Sequence, residues 1–235
     1  FGALDRLFIA PADPVELLKF CMDFPKIQKL QLESSTNEHV LIVSATLRHI
    51  QYLDLGKNEI TDHDLRYLVY LTSLKHLRLN SRNMTESSVK YLKNMVGLRY
   101  LELPASVFTN TSSQALGRLP EIRTLKLHGG FGSDRNLSCV REIAQLQHLD
   151  LTLCCSIDDQ VLSHLPSIKQ LSSLNLTKCY KLTDTGLTHL EKLENLKELD
   201  LNFCFLVTGR GFSSLPKSLT HLRLAYCGRL SSLLH

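Results

Sequence analysis

At 235 residues the chain is long enough for one large domain or two ordinary ones, and with 43% hydrophobic and 21% charged residues it can bury a substantial core. Its net charge of +4, from 27 basic against 23 acidic side chains, is too balanced for charge alone to imply nucleic acid or a membrane surface as partner. No apolar run reaches the roughly 18 residues of a membrane span. The chain opens at Phe1 with neither a methionine nor a signal peptide, so we expect a piece of a longer protein.

In chain order, the predicted strands carry the apolar pairs Leu7/Ile9, Leu30/Leu32, Leu53/Leu55, Leu77/Leu79, Leu101/Leu103, Leu125/Leu127, Leu149/Leu151, Leu174/Leu176, Leu199/Leu201 and Leu222/Leu224. Successive pairs lie 23 to 25 residues apart. Within each pair the alternation is that of a strand with one face buried. Between pairs the spacing lengthens to that of a helix face, as at Asp62 to Leu68, Val161 to Leu165 and Leu187/Leu190. One such unit cannot cover its own apolar face and must stack on its neighbours. The L-x-x-L-x-L pattern at this period predicts an α/β leucine-rich repeat solenoid, a single domain over residues 1–235 with about ten repeats. A parallel sheet lines its concave face and helices its convex face, the first strand starting at Leu4.

Three residues past the inner pair, the last four repeats place Cys154, Cys179, Cys204 and Cys227, and an earlier one Asn58. A donor there can satisfy carbonyls left over where the strand bends inward. Ala12, Ser35, Arg82, Ser106 and Gly130 occupy that position elsewhere, so the ladder is expected to be irregular in the N-terminal half. The cysteines fall one per repeat along a line, unlike a tetrahedral metal cage. Cys21 and Cys139 are expected in the core of the returns and Cys155 in a loop. Seven unclustered cysteines favour a reducing, intracellular setting, cytoplasmic or nuclear. Four Asn-X-Ser/Thr triplets, at Asn83, Asn110, Asn136 and Asn175, argue mildly the other way, although such triplets arise by chance in this composition.

After the ladder come Ile60-Thr61-Asp62, Ile157-Asp158-Asp159, Leu182-Thr183-Asp184 and Val207-Thr208-Gly209, where Thr or Asp fits a helix N-cap. Written as L-x-x-L-x-L-x-x-C-x-x-(I/L)-T-D-x-G-L, the pattern resembles the cysteine-containing repeats of F-box/leucine-rich-repeat proteins, substrate receptors of cullin-RING ubiquitin ligases. The match is close over residues 144–230 and around 50–68, and looser in repeats 4 to 6, as in "LRLNSRNMTESSV". The resemblance implies a protein substrate held on the repeats and a Skp1 adaptor bound through an F-box outside this sequence. Bacterial effectors carry similar repeats.

No G-x-S-x-G, H-E-x-x-H or P-loop is present, and "HGGFG" at 128–132 lacks the P-loop lysine. His76, His148 and His221 share an outward column but sit three repeats, roughly 14 Å, apart, too far to share a metal. We read no catalytic residue, cofactor or metal, and the outward columns alternate sign too often for a nucleic-acid stripe. Candidate protein-binding residues are therefore the outward strand positions Tyr100, Lys126, His128, His148, Asp150, Asn175, Glu198, Asp200 and Arg223, with Leu153, Lys178, Phe203 and Tyr226 at the rim. Aromatic anchors amid polar groups are the usual make-up of a protein-binding hot spot. Two further readings stay open: a ligand-sensing solenoid controlling an attached domain, and a structural subunit of a larger assembly.

Overall fold

A computed structural model describes residues 5–10, 13–33, 35–56, 59–129 and 140–227. Ten strands stand side by side in chain order in one sheet: β1 (Arg6–Ile9), β2 (Lys29–Leu32), β3 (Tyr52–Gly56), β4 (His76–Asn80), β5 (Tyr100–Pro104), β6 (Thr124–His128), β7 (His148–Asp150), β8 (Ser173–Asn175), β9 (Glu198–Asp200) and β10 (His221–Arg223). All neighbours are parallel and in register on the repeat, Leu53 opposite Leu77 and Leu149 opposite Leu174. The inner leucines stack into one continuous core that also takes the apolar side chains of the returns.

The returns are less regular than a solenoid of plain helices. Two ten-residue helices, α1 (Pro14–Asp23) and α2 (Asn37–Thr46), serve the first repeats, and α4 (Asn110–Gly117) the fifth. Elsewhere a single turn of α-helix runs into 3₁₀ structure: α3 (Asp62–Leu65) into Arg66–Tyr70, α5 (Asp159–Leu162) towards Leu165–Ser167, and α6 (Asp184–Leu187) into Thr188–Lys192. In those returns the tighter, steeper 3₁₀ rise continues the path in place of further α-helix.

The Thr-Asp pairs cap these turns and also join one repeat to the next. Thr183 accepts from the Thr185 N–H, and Asp158 from the N–H groups of Gln160 and Val161. The aspartate at the first helical position instead reaches forward. Asp159 accepts from the Thr183 N–H at 2.8 Å and hydroxyl at 2.6 Å, and Asp184 accepts likewise from Thr208. Asp62 takes the Thr85 N–H at 2.8 Å together with its hydroxyl. Although burial works against its charge, the Thr208 hydroxyl and the N–H groups of Gly211, Thr208 and Gly209 hold the Asp184 carboxyl below its ordinary pKa.

Where the last four strands end, the chain makes one repeated turn. Leu153, Lys178, Phe203 and Tyr226 adopt left-handed backbone, with φ of 65°, 63°, 61° and 60°. Each next residue is a ladder cysteine whose thiol donates to the carbonyl of an inner leucine one repeat back: Cys154 to Leu127 at 3.5 Å, Cys179 to Leu151 at 3.4 Å, Cys204 to Leu176 at 3.2 Å and Cys227 to Leu201 at 3.1 Å. Burial pushes the Cys204 thiol up to about 12, so it stays a protonated donor. Cys21 is buried in α1, as expected, and Cys155 is half-buried beside the turn.

The ladder does not extend into repeats 4 and 5 at the expected position. Arg82 and Ser106 are exposed, while Ser81 and Val107 point inward. Among the described residues neither repeat has a left-handed residue at the strand end, so the inward position moves by one residue. Ser35 is buried as expected. Leu4, Ala12, Asn58, Gly130, Asn136 and Cys139 lie outside the described residues, as do 131–132 of the glycine-rich segment.

Replacing Cys179 with alanine is expected to lower stability by about 1–2 kcal/mol, through a small cavity and the loss of the thiol hydrogen bond to the Leu151 carbonyl, which keeps only the Cys154 N–H at 3.1 Å. Urea denaturation measures it, and an unchanged midpoint would mean that the thiol contributes nothing.

Candidate functional site

The concave face divides into three neighbouring surfaces. The first spans β3 to β6. One column carries Tyr52, His76 and Tyr100, whose rings stack with centroids 4.1 Å and then 3.8 Å apart. The next column carries Asp54, Arg78 and Glu102. Arg78 bridges both acids, Nε to Glu102 at 2.8 Å and Nη1 to Asp54 at 3.2 Å. Tyr100 donates its hydroxyl to the other Glu102 oxygen at 2.8 Å; burial, that bond and the Glu102 charge raise its pKa. Asp54 and Glu102 are only 3% and 8% exposed, although they stand on the outward side of the sheet. The stacked rings and the guanidinium cover them. His128, two residues further along β6 and opposite Pro104, places Nδ1 3.6 Å from Glu102, and neither ring nitrogen has a hydrogen-bond partner among the described residues.

Burial keeps both central histidines neutral. It lowers the pKa of His76 to about 4, against the pull of Asp54 and Glu102 and helped by Arg78 and Lys126, and it lowers that of His128 as well. A base with a folded pKa below its unfolded value contributes nothing above about pH 6.5, where it is neutral in both states. As the pH falls towards 4 the unfolded chain takes up the proton first, so stability is lost across that window. His76→Phe, which keeps the stack, is expected to remove about 2 kcal/mol of the acid-induced loss, read from urea titrations at pH 7.5 and 4.5. An equal acid loss in the variant would contradict this account.

The second surface is the floor of β7 to β10. Asp150, Asn175 and Asp200 occupy one column, and each bends the chain out of its strand by accepting a backbone N–H two residues on, from Thr152 at 3.0 Å, Thr177 at 2.9 Å and Asn202 at 2.9 Å. These three candidates therefore do structural work as well. The second carboxylate oxygen of Asp150 faces Lys126 at 3.5 Å, and that of Asp200 faces Arg223 at 3.8 Å. Part of the acidic charge of the floor is thereby compensated. Glu198 is exposed and accepts the Ser173 hydroxyl at 3.1 Å, and His148 is exposed too. The small side chains of Ser173 and Asn175 leave a hollow of about 250 Å³ between these groups.

The third surface is a ridge along the rim. The left-handed turn that hides each cysteine sends the preceding side chain outward. Phe203 stacks on Tyr226 at 4.5 Å, and the Lys178 ammonium lies 5.3 Å above the Phe203 ring. Phe205 meets Phe203 edge-on at 6.4 Å and stacks on Tyr180 at 5.4 Å. Leu153, Tyr180, Phe205, Leu206 and Tyr226 are all exposed, Tyr226 at 71%.

The candidates thus fall into separate groups: Tyr100, Lys126 and His128 at the centre, His148, Asp150, Asn175, Glu198, Asp200 and Arg223 on the floor, and Leu153, Lys178, Phe203 and Tyr226 on the ridge. Tyr52, Asp54, His76, Arg78 and Glu102 are not among the candidates singled out from sequence, nor are Tyr180, Phe205 and Leu206, which follow the ladder cysteines. The signal for the first group was the presence of ring–ring–ring and acid–base–acid runs in adjacent columns. For the second it was an aromatic directly after Cys179 and Cys204. Among the described residues no group of three His, Cys, Asp or Glu side chains is placed to hold a metal ion, and no helix is long and apolar enough to cross a membrane.

A family model for the leucine-rich repeat matches residues 46–69. Comparison with curated proteins yields no match. Among solved structures, the chain is similar to an internalin C2 from Listeria monocytogenes, with a TM-score of 0.54 and 22% identity over 86% of this chain and 83% of that one. An internalin (inlF) from the same species matches at 16% identity over 93% of this chain and 86% of its own, with a TM-score of 0.43. At such identities a likeness speaks to fold: this chain is an α/β leucine-rich repeat solenoid with its parallel sheet on the concave face.

Proposed function

We propose that the chain is a non-enzymatic interaction module that holds a protein partner against the floor and ridge of its last four repeats. The observation that carries this reading is the exposed aromatic ridge beside a preformed polar hollow. Rigid aromatic groups next to polar ones, already positioned before binding, lose little entropy when a partner docks. A curved sheet presents such a surface without any loop having to order.

The finer reading is that the partner is the substrate of a cullin-RING ubiquitin ligase, with Skp1 bound through an F-box outside this sequence. The cysteine and Thr-Asp pattern of the later repeats supports it. An intracellular setting is supported by the thiol hydrogen bonds, which need reduced cysteines. Co-purification of Skp1 with the full-length protein tests the ligase assignment, and its failure would leave the interaction module standing. The binding face itself is tested by Phe203→Ala combined with Asp200→Asn. The asparagine keeps the oxygen that accepts the Asn202 N–H and removes only the charge. Partner capture is expected to weaken about tenfold with no change in melting temperature. Undiminished capture would move the binding face elsewhere.

A further inference from the structure

We infer that the ridge formed by Tyr180, Phe203, Phe205 and Tyr226 docks an acidic segment of a protein partner, an extended stretch of Asp or Glu carrying an aromatic or large aliphatic anchor. The inference rests on the interaction-module reading and adds the chemistry of the partner. Three observations bear on it.

The first is conformational. A non-glycine residue in left-handed backbone costs roughly 1 kcal/mol. Here a leucine, a lysine, a phenylalanine and a tyrosine take that conformation at the same position of four successive repeats. The turn holds the rim side chains out from the sheet in a fixed direction, so the ridge exists before anything binds.

The second is electrostatic. The loops that build the ridge contribute Lys178 and Lys181, neither of which pairs with a carboxylate among the described residues. The acids of these same loops are engaged elsewhere: Asp158 caps α5, and Asp159 and Asp184 accept from the Thr residue of the next repeat. The ridge is therefore apolar with an uncompensated positive charge, and its complement is apolar with a negative one.

The third concerns ring faces. An aromatic platform with lysines could also stack the bases of a single-stranded nucleic acid. Here the rings stack on one another, Phe203 on Tyr226 and Tyr180 on Phe205, and the Lys178 ammonium lies over Phe203. A side chain packing along the ridge is favoured over an intercalating base.

The test uses fluorescein-labelled ten-residue peptides and fluorescence anisotropy with the purified protein. One peptide is glutamate-rich with two phenylalanines, a second has lysine in place of the glutamates, and a third has alanine in place of the phenylalanines. The first is expected to bind about tenfold or more tighter than the others, and more weakly as salt rises. Phe205→Ala with Tyr226→Ala is expected to weaken it about tenfold, and Lys178→Glu with Lys181→Glu to turn the preference towards the lysine peptide. Equal binding of all three peptides, or no effect of the ridge substitutions, overturns the inference. So does tighter binding of a labelled ten-residue oligothymidylate, or a ridge-dependent dimer in sedimentation. None of these outcomes touches the reading of the module itself, which is decided by capture of the whole partner by the Phe203→Ala, Asp200→Asn protein.

Discussion

Arg78→Ala is expected to cost about 3 kcal/mol of unfolding free energy, a large loss for a residue on the open face of a sheet. The reason is what Arg78 leaves behind. Asp54 and Glu102, 3% and 8% exposed, would face each other across the vacated strand under the Tyr52, His76 and Tyr100 rings with no counter-charge between them. Removing one member of a buried charged group costs about 3–5 kcal/mol, and the partial exposure of Arg78 moves the value to the low end. Adding Asp54→Asn and Glu102→Gln to the variant should return about half of the loss, because the stranded charges are gone. Urea denaturation of the three proteins measures this. A loss below about 1 kcal/mol for Arg78→Ala would mean that water reaches the acids, as at an ordinary surface pair.

Gly186→Ala should be comparably damaging, at about 2–3 kcal/mol, although only one methyl group is added. A Cβ at Gly186 would lie 2.3 Å from Asp159 Oδ1, 3.0 Å from its Cγ and 3.1 Å from its Cα. That carboxylate cannot swing aside without releasing both Thr183 groups it holds. The equivalent Gly211 meets backbone instead, with a Cβ 2.6 Å from the Asp184 carbonyl oxygen. Gly97→Ala is the control: its Cβ would approach nothing nearer than the Leu74 carbonyl oxygen at 3.8 Å, and its effect should stay within about 0.5 kcal/mol. Because a solenoid is stabilised repeat by repeat, the Gly186 change should loosen the seam between the seventh and eighth repeats first. Hydrogen exchange would place it there. Protection lost evenly along the chain would contradict a local clash.

The fold was legible because its strongest signal is periodic. An inner leucine pair repeated at 23 to 25 residues dictates strand order, parallel register and core composition together. The cysteine column was legible too, since a donor at a fixed offset has only the strand-end carbonyls to serve. The reach of Asp159 to Thr183 of the following repeat was not. Both residues looked complete as local caps, and only the stacking distance shows that one aspartate serves its neighbour's threonine. The burial of Asp54 and Glu102 beside Arg78 was not legible either, for a related reason. Outward position along a strand predicts exposure only when flanking columns are small, and here three rings close over the charges. Asp150, Asn175 and Asp200 are candidates as outward strand positions, and in sequence an acidic or amide side chain at a strand end looks alike whether it faces a partner or folds back on its own chain.

The turn at Leu153, Lys178, Phe203 and Tyr226 has one further consequence. It divides labour between adjacent residues: the sulfur locks the stack, while its predecessor projects into solvent and takes no part in the hydrophobic interior. Four such display positions in a row can accept varied chemistry while the scaffold beneath stays the same. An engineer could diversify all four together as a small library and expect most members to remain folded.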